Sequence, residues 1–438
     1  MKKILIILIL LYSLRIYSEQ ISNSFDLDIN LDNFFYYKND SDFDNSRTLY
    51  QPQGNSEGML ATYLDTDLRL NISNDVFIFY ELELGSNIWS KNNPDVIDPI
   101  SEDIFVLKHR QIYGSAEFFQ DSMRIRSGYI RIIDPTGLFI NHWIGAFQLG
   151  FDLLNSKNYL LFAQLPDFNY EGLTATTNNF ANDRWLFGVS SSFGFLGGND
   201  ILTLCWYSYY DDSVINHSNL IHSPIISYIF YRESLKLVFD AILQFGVMQN
   251  AAIEGKDIRE LSYGFNLNLS KNFSDINLTY NGLLLSSDDR YIENTFNGGF
   301  YYSGKNRSST IILTEDEFRD QYNNIDEKMG VSDGPFYVMR AGLFITDLRV
   351  DYIGAGLLIP SLVIGSAFVV KSDNANDSSF AGLETDLLFK IDISRGWDIV
   401  GAFGILFPGK AAASFLNMYD MNKTETQYLT EFHINYRY

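Results

Sequence analysis

A transmembrane, antiparallel up-and-down β-barrel of about eighteen strands is the fold class this sequence predicts, with sixteen or twenty allowed. Three observations predict it. Segment after segment alternates apolar and polar residues with period two, the spacing of a strand with one greasy and one wet face. Charges recur on the wet face in strand after strand, which no soluble core tolerates and a water-filled barrel requires. The connections between segments alternate short and long, so short turns gather at one end and long loops at the other. An even strand count returns both ends of the chain to the short-turn side. Composition agrees: of 438 residues, 16% are aromatic, with 28 Tyr and 35 Phe, and only 9 are Pro. Aromatic girdles consume the first, and long unbroken ladders require the last.

Residues 1–18 have the layout of an export signal: Lys2 and Lys3, an apolar core from Ile4 to Leu14, and Ser18 before a cut at Glu19. That core is too short to span a bilayer as a helix. No Cys follows it, which argues against a lipid anchor. Its removal takes away Lys2, Lys3 and Arg15. The 32 basic residues then fall to 29 against 54 acidic ones, and the net charge moves from −22 to −25. Such a chain is not built to bind nucleic acid. The single Cys205 excludes an internal disulfide.

In chain order, Phe25, Leu27, Ile29 and Leu31 alternate with Asp26, Asp28, Asn30 and Asp32. After a polar loop, 38–57, Leu60 to Leu70 alternate with Tyr63, Asp65, Asp67 and Arg69. A turn at 73–75 leads to Val76, Ile78, Tyr80, Leu82 and Leu84 set against Phe77, Phe79, Glu81 and Glu83. Strands are expected next at about 104–118, 123–132, 146–154 and 159–165. Those at 185–195, 200–210, 223–231 and 235–246 follow, with loops at 211–222 and 248–258. Further strands are expected at 261–270 and 275–285. A connection of unusual length, 286–346, then contains a helix expected at about 314–328, capped by Thr314 and with Glu315, Asp316 and Glu317 in its first turn. It is expected either to enter the lumen or to cap it.

Residues 353–370 carry no charge and have the length of a spanning helix. Gly354, Gly356, Pro360 and Gly365 argue instead for a hairpin turning at Pro360 and Ser361, with strands at about 348–359 and 362–371. Strands at 381–393 and 397–407 follow. The last segment sets Tyr428, Thr430, Phe432, Ile434, Tyr436 and Tyr438 against Gln427, Glu431, His433, Asn435 and Arg437, with Leu429 as an apolar intruder. This closing strand, with its terminal aromatic residue, resembles that of bacterial outer-membrane barrels, where it forms part of the signal read by the barrel assembly machinery. It is expected to pair with residues 25–35 and leave no free edge. Residues 19–438 thus form a single barrel domain, facing outer-membrane lipids.

Three places resemble the alginate-export family of outer-membrane porins: Met123–Arg131 (MRIRSGYIR) followed by Asp134–Leu138 (DPTGL), Gly382–Leu388 (GLETDLL), and Gly404–Lys410 (GILFPGK). The first departs from the family's Gly-Arg-Gln at Gly128, Tyr129 and Ile130. The resemblance implies an eighteen-stranded outer-membrane channel that passes small solutes or a polysaccharide, anionic ones included.

The lumen and selectivity candidates are Arg124, Arg126, Arg349, Lys108, Arg110, Glu81, Glu83, Glu384 and Asp386. Arg124 and Arg126 share a face opposite Met123, Ile125 and Tyr129 and should point inward, as should Arg349. Lys108 and Arg110 have no settled facing; if outward, they must stand above the hydrocarbon. Inward Arg side chains attract carboxylates or phosphates. The plainer role is pairing with the lumenal acids Glu81, Glu83, Glu384 and Asp386, which shapes the pore without choosing a solute. Calcium could be held by Asp373, Asn374, Asn376 and Asp377, or by Asp316, Glu317, Asp320 and Asp326, yet neither has an EF-hand spacing. A solvated loop is the plainer account of both. His217 and His222 beside Asp211 and Asp212 could hold a metal, a weaker prospect again. No cofactor or metal is expected. No nucleophile, base and orienting group are visible together, so an enzyme is not expected. The alternatives to a passive channel are a structural or adhesive surface barrel with a plugged lumen and, behind it, a barrel enzyme.

Overall fold

The computed structural model describes residues 25–39, 56–86, 106–120, 122–153, 155–165, 184–195, 199–214, 217–251, 256–287, 300–302, 308–313, 337–339, 342–354, 356–370, 378–394, 396–412 and 426–437. Period-two sequences become strands here because an edge-free sheet satisfies every backbone group within the bilayer. The strands are β1 (Phe25–Asn39), β2 (Ser56–Asn71), β3 (Val76–Ser86), β4 (Val106–Phe118), β5 (Met123–Ile133), β6 (Asn141–Leu153), β7 (Ser156–Leu165), β8 (Arg184–Phe195), β9 (Asp200–Val214) and β10 (His217–Arg232). They continue as β11 (Leu235–Ala251), β12 (Lys256–Phe273), β13 (Ile276–Leu285), β14 (Phe300–Tyr302), β15 (Tyr337–Met339), β16 (Leu343–Tyr352), β17 (Leu358–Val369), β18 (Phe380–Ser394), β19 (Trp397–Pro408) and β20 (Gln427–Arg437).

Eighteen of these make one antiparallel sheet, and β14 pairs with β15 in a separate two-stranded antiparallel sheet. Each barrel strand pairs with its neighbours in sequence, β13 passing directly to β16. The sheet closes where β1 meets β20, with Asn30 opposite Arg437 and Asn39 opposite Tyr428. Closure is therefore as expected, but shifted: the partner segment is 30–39, and residues 25–29 pair with β2 alone.

The outer wall is apolar, with Phe147, Leu160, Phe187, Leu204, Phe265 and Ile364 among its exposed side chains. Aromatic residues ring both ends. Phe119, Phe195, Phe273, Tyr352 and Trp397 stand at the short-turn end, and Tyr37, Tyr129, Tyr263, Phe407 and Tyr428 at the other. Among the described residues no helix is long and apolar enough to cross a membrane.

Three boundaries differ from expectation. The uncharged run is a hairpin, but it turns at 353–357, and Pro360 lies inside β17. The β16 ladder ends at Asp351 opposite Ser361, so the missing Pro360 N–H breaks no bond on that side. The expected loops 211–222 and 248–258 are largely strand, since β9 to β12 run on to Val214, His217, Ala251 and Lys256. Backbone ladders continue above the membrane without needing apolar side chains. The strand β6 also starts early, at Asn141, so the connection after β5 is only 134–140. The export signal, the helix at 314–328, both calcium candidates and the terminal Tyr438 lie outside the described residues.

Candidate functional site

The inner wall falls into two arcs. Facing inward from β6 to β19, side chains such as Ile144, Ala163, Leu186, Tyr209, Ile225, Ile242, Leu283, Ile345 and Val363 are buried. Two inward-folded segments cover this arc. The first is 134–140. The Asp134 carboxylate accepts hydrogen bonds from Thr136 N at 2.8 Å, Thr136 Oγ1 at 2.5 Å and Ile140 N at 2.8 Å. One buried side chain thereby folds the loop back on itself and sinks Leu138, Phe139 and Ile140 into the interior, where Phe139 meets the Tyr207 ring at 5.8 Å.

The second comprises the β14–β15 pair and residues 308–313. Gln244 on β11 acts as a rung for it, donating from Nε2 to Tyr301 O and accepting from Tyr301 N, both at 2.8 Å. Further on, Asp347 accepts from Ser308 Oγ at 2.7 Å and Ser309 N at 3.0 Å. Glu384 gathers three successive backbone N–H groups: Ile311 at 2.8 Å, Ile312 at 2.6 Å and Leu313 at 2.7 Å. Asp386 adds a longer contact to Ile311 N at 3.3 Å. Between Asp347 and Glu384 stands Gly365, their register partner on both sides. A Cβ there would meet Thr310 Cγ2 at 2.3 Å, so only glycine admits the segment this close to the wall.

The remaining arc, β20 and β1 to β5, has mostly half-buried or exposed inward side chains; Ser115, Ile130, Ile132 and Gln427 are buried exceptions. It is strongly charged. Asp26, Asp28, Asp32, Asp65, Asp67 and Glu81 alternate inward along β1 to β3. On β20, His433 Nδ1 lies 3.3 Å from Asp32 Oδ2, and its Nε2 lies 4.0 Å from Glu431. Leu429, the intruder on this face, is buried beneath the covered upper part.

Beside the acids lies an aromatic and basic array. Tyr113 on β4 has Phe77 and Phe79 at 6.3 and 5.2 Å. Arg126 lies over its ring at 5.8 Å, and Arg69 over Phe77 at 3.9 Å. Arg124 is paired with Glu117. The array sits near the short-turn end, where β2 finishes and β5 begins.

Arg124 and Arg126 therefore face the lumen, as their strand period requires. Arg349 faces inward too, with its Nε 2.6 Å from Asp351 Oδ1 and its Nη2 3.3 Å from Ser361 Oγ. Glu81 accepts from Gln111 rather than from an arginine. Glu384 and Asp386 face inward as well, but they hold backbone amides of the folded-in segment. Glu83 and Lys108 are register partners whose side chains lie outside those described. Arg110 stands on the outer wall, over the Trp143 ring at 4.7 Å. A bulge explains this: Glu81 pairs with Gln111 and Leu82 with His109, so Arg110 is an extra residue turned to the outer face beside His109.

His222 and Asp211 lie on opposite faces of the wall. His222 packs outside against Trp206 and Phe245, while Asp211 pairs inside with Arg184 at 3.0 Å. They share no site, and the described residues contain no cluster able to hold a metal ion. Period-two reading missed Arg69 and Tyr113 as partners of the Arg pair. Their inward phase was visible in it, but their adjacency depends on register across β2 to β5.

Comparison with solved structures gives matches over almost the whole chain. A BenF-like porin from Pseudomonas fluorescens superposes with a TM-score of 0.57 at 12% identity, covering 95% of this chain and 98% of that one. The fold is that of an outer-membrane porin. Pseudomonas aeruginosa OpdK, solved with vanillate, gives 0.57 at 10% identity over 95% of this chain and 99% of its own. Pseudomonas aeruginosa OccK2 (OpdF), solved in complex with glucuronate, gives 0.55 at 10% over 94% and 96%. No protein-family model and no curated protein matches the chain. The similar porin structures are thus of the BenF-like and OpdK kind, and the alginate-export resemblance rests on the three sequence motifs alone.

Proposed function

We propose that this chain is a passive outer-membrane channel of a Gram-negative-type bacterium, exported through residues 1–18 and placed by the barrel assembly machinery. The solutes it serves are small carboxylates, with aromatic or sugar acids favoured. The observation that carries this reading is the open arc β20–β5. It presents Arg69 and Arg126 around the Phe77, Phe79 and Tyr113 rings, while interior segments cover the long-loop half of the opposite wall. Guanidinium groups hold a carboxylate bidentately, and ring faces accept a flat or ring-shaped body. The vanillate and glucuronate bound by two porins of this fold are solutes of that description.

An alginate-export role is the finer alternative. Two of its three motifs have local structural duties here, Asp134 closing a loop and Glu384 with Asp386 holding a segment. Those duties are independent of the solute. The channel reading leaves no part for an enzymatic centre.

Planar-bilayer recording of the refolded protein tests the proposal. Stepwise conductance is expected, and a silent membrane would refute it. In a salt gradient, R124Q/R126Q should lower the anion-to-cation permeability ratio by about threefold. An unchanged reversal potential would remove these arginines from the selectivity site. The second reading, a barrel kept shut by its own interior segments, is favoured by the covered arc alone. It requires that the wild type be silent and that release of residues 308–313 open it.

A further inference from the structure

We infer that the outer wall carries a phosphate-binding site for an outer-leaflet lipid, built from Arg110, Arg131 and Trp143 at the long-loop end of β4, β5 and β6. Arg110 and Arg131 lie over the same indole, at 4.7 and 4.9 Å from its centroid. Both face outward. Arg131 lies in phase with the exposed Tyr129 and Ile133, and Trp143 with the exposed Phe147. The Arg131 guanidinium is held rigid by Asn141 Oδ1, which accepts from Nε at 3.1 Å and Nη2 at 3.0 Å. Among the described residues no carboxylate lies within ion-pair distance of Arg131, and the indole Nε1 of Trp143 has no acceptor. The Tyr80 and His109 pair, joined at 2.6 Å, extends the polar patch toward β3.

Height decides the ligand. From Met123 at the short-turn end, Arg131 is eight residues along β5. At about 3.3 Å per residue and a tilt of about 40°, that is roughly 20 Å, against an apolar band about 25 Å tall. The guanidinium groups therefore sit near the upper edge of the hydrocarbon, where lipid phosphates lie and where the Arg131 charge gains from an anion. An indole-stacked pair of guanidiniums is a fork-shaped donor surface suited to a phosphate monoester. The acyl chains of the same lipid would run down the wall past Ile112 and Phe147, which stand exposed below.

This site rests on the membrane-spanning reading and is independent of the pore. Native mass spectrometry of the refolded, full-length protein in detergent tests it, with phosphatidic acid as probe and phosphatidylcholine as control. The wild type should retain phosphatidic acid about tenfold more strongly than phosphatidylcholine, and R110Q/R131Q should abolish the preference. Equal retention of the two lipids by wild type, or an unaltered preference in the variant, would overturn the inference. So would complete displacement of the lipid by millimolar inorganic phosphate, which would mark a soluble-anion site. Conductance recorded on the same variant should match wild type. A silent wild type would bear on the channel proposal alone, because lipid retention is read without current.

Discussion

Replacing Gly365 with Leu should raise the single-channel conductance by about twofold, because the added side chain occupies the place of Thr310 and drives residues 308–313 off the wall. The glycine stands between two carboxylates that grip the segment from either side, Asp347 through Ser308 and Ser309 and Glu384 through the amides of 311–313. Glu384→Ala should act in the same direction from the other partner. It would leave the buried N–H groups of Ile312 and Leu313 without that acceptor, each costing about 1–3 kcal/mol, and Ile311 N with only the longer contact to Asp386, so the segment would leave for water. The two variants work through different physics, a clash in one and an orphaned amide cluster in the other. Agreement between them in planar-bilayer current would therefore assign the effect to the segment. Unchanged conductance in both, with folded gel mobility, would mean that residues 308–313 do not narrow the passage.

The second large effect is expected at Asp134. Its carboxylate accepts three hydrogen bonds within six residues, and Gly137 N bonds back to its carbonyl at 2.9 Å. Asp134→Ala removes the carboxylate that ties Thr136 and Ile140 together and leaves Ile140 N buried without that acceptor. A loss of about 3 kcal/mol is expected, since bonds to a charged acceptor are worth about 1.5–3 kcal/mol each and partial rehydration returns some of the sum. It should appear as a lower urea midpoint for the folded gel band. Asp134→Asn should lose less, because the amide oxygen still accepts. Equal stability of Asp134→Ala and wild type would show that the loop is held by Leu138, Phe139 and Ile140 alone.

Much of this molecule was legible in its sequence, and the reason is geometric. In a barrel each residue faces either lipid or lumen, so Asp26, Asp28, Phe77, Glu81, Arg124, Arg126 and Arg349 could be phased from their neighbours. The count of about eighteen comes from the alternating segments, and loop parity requires it to be even and the two end strands to meet. Three kinds of feature did not follow. The bulge at Arg110 leaves no trace in composition, and it alone decides which side of the wall that arginine serves. The turn at 353–357 was concealed because Pro360 resembles a turn residue, while a ladder that ends at Ser361 tolerates it. Most of all, the inward folding of 134–140 and 308–313 depends on contacts between distant elements. Residues 134–140 fall between two expected strands with no sign of inward folding, and Glu384 reads as a lumenal charge until β17 brings Gly365 between Asp347 and Glu384.

The covered and open arcs have a consequence for how this protein can change over time. On the channel reading a solute meets chiefly β20 and β1 to β5, while toward the long-loop end the interior of the others is packed like the core of a soluble domain. Tolerance to substitution should therefore differ by sector around one circumference. On β1 to β5 an inward polar exchange would retune traffic and leave the fold intact. On β9 to β18 the same exchange would be judged first by packing. New solute preferences would arise along one strip of wall, and the opposite strip would change slowly under the constraints of a protein interior.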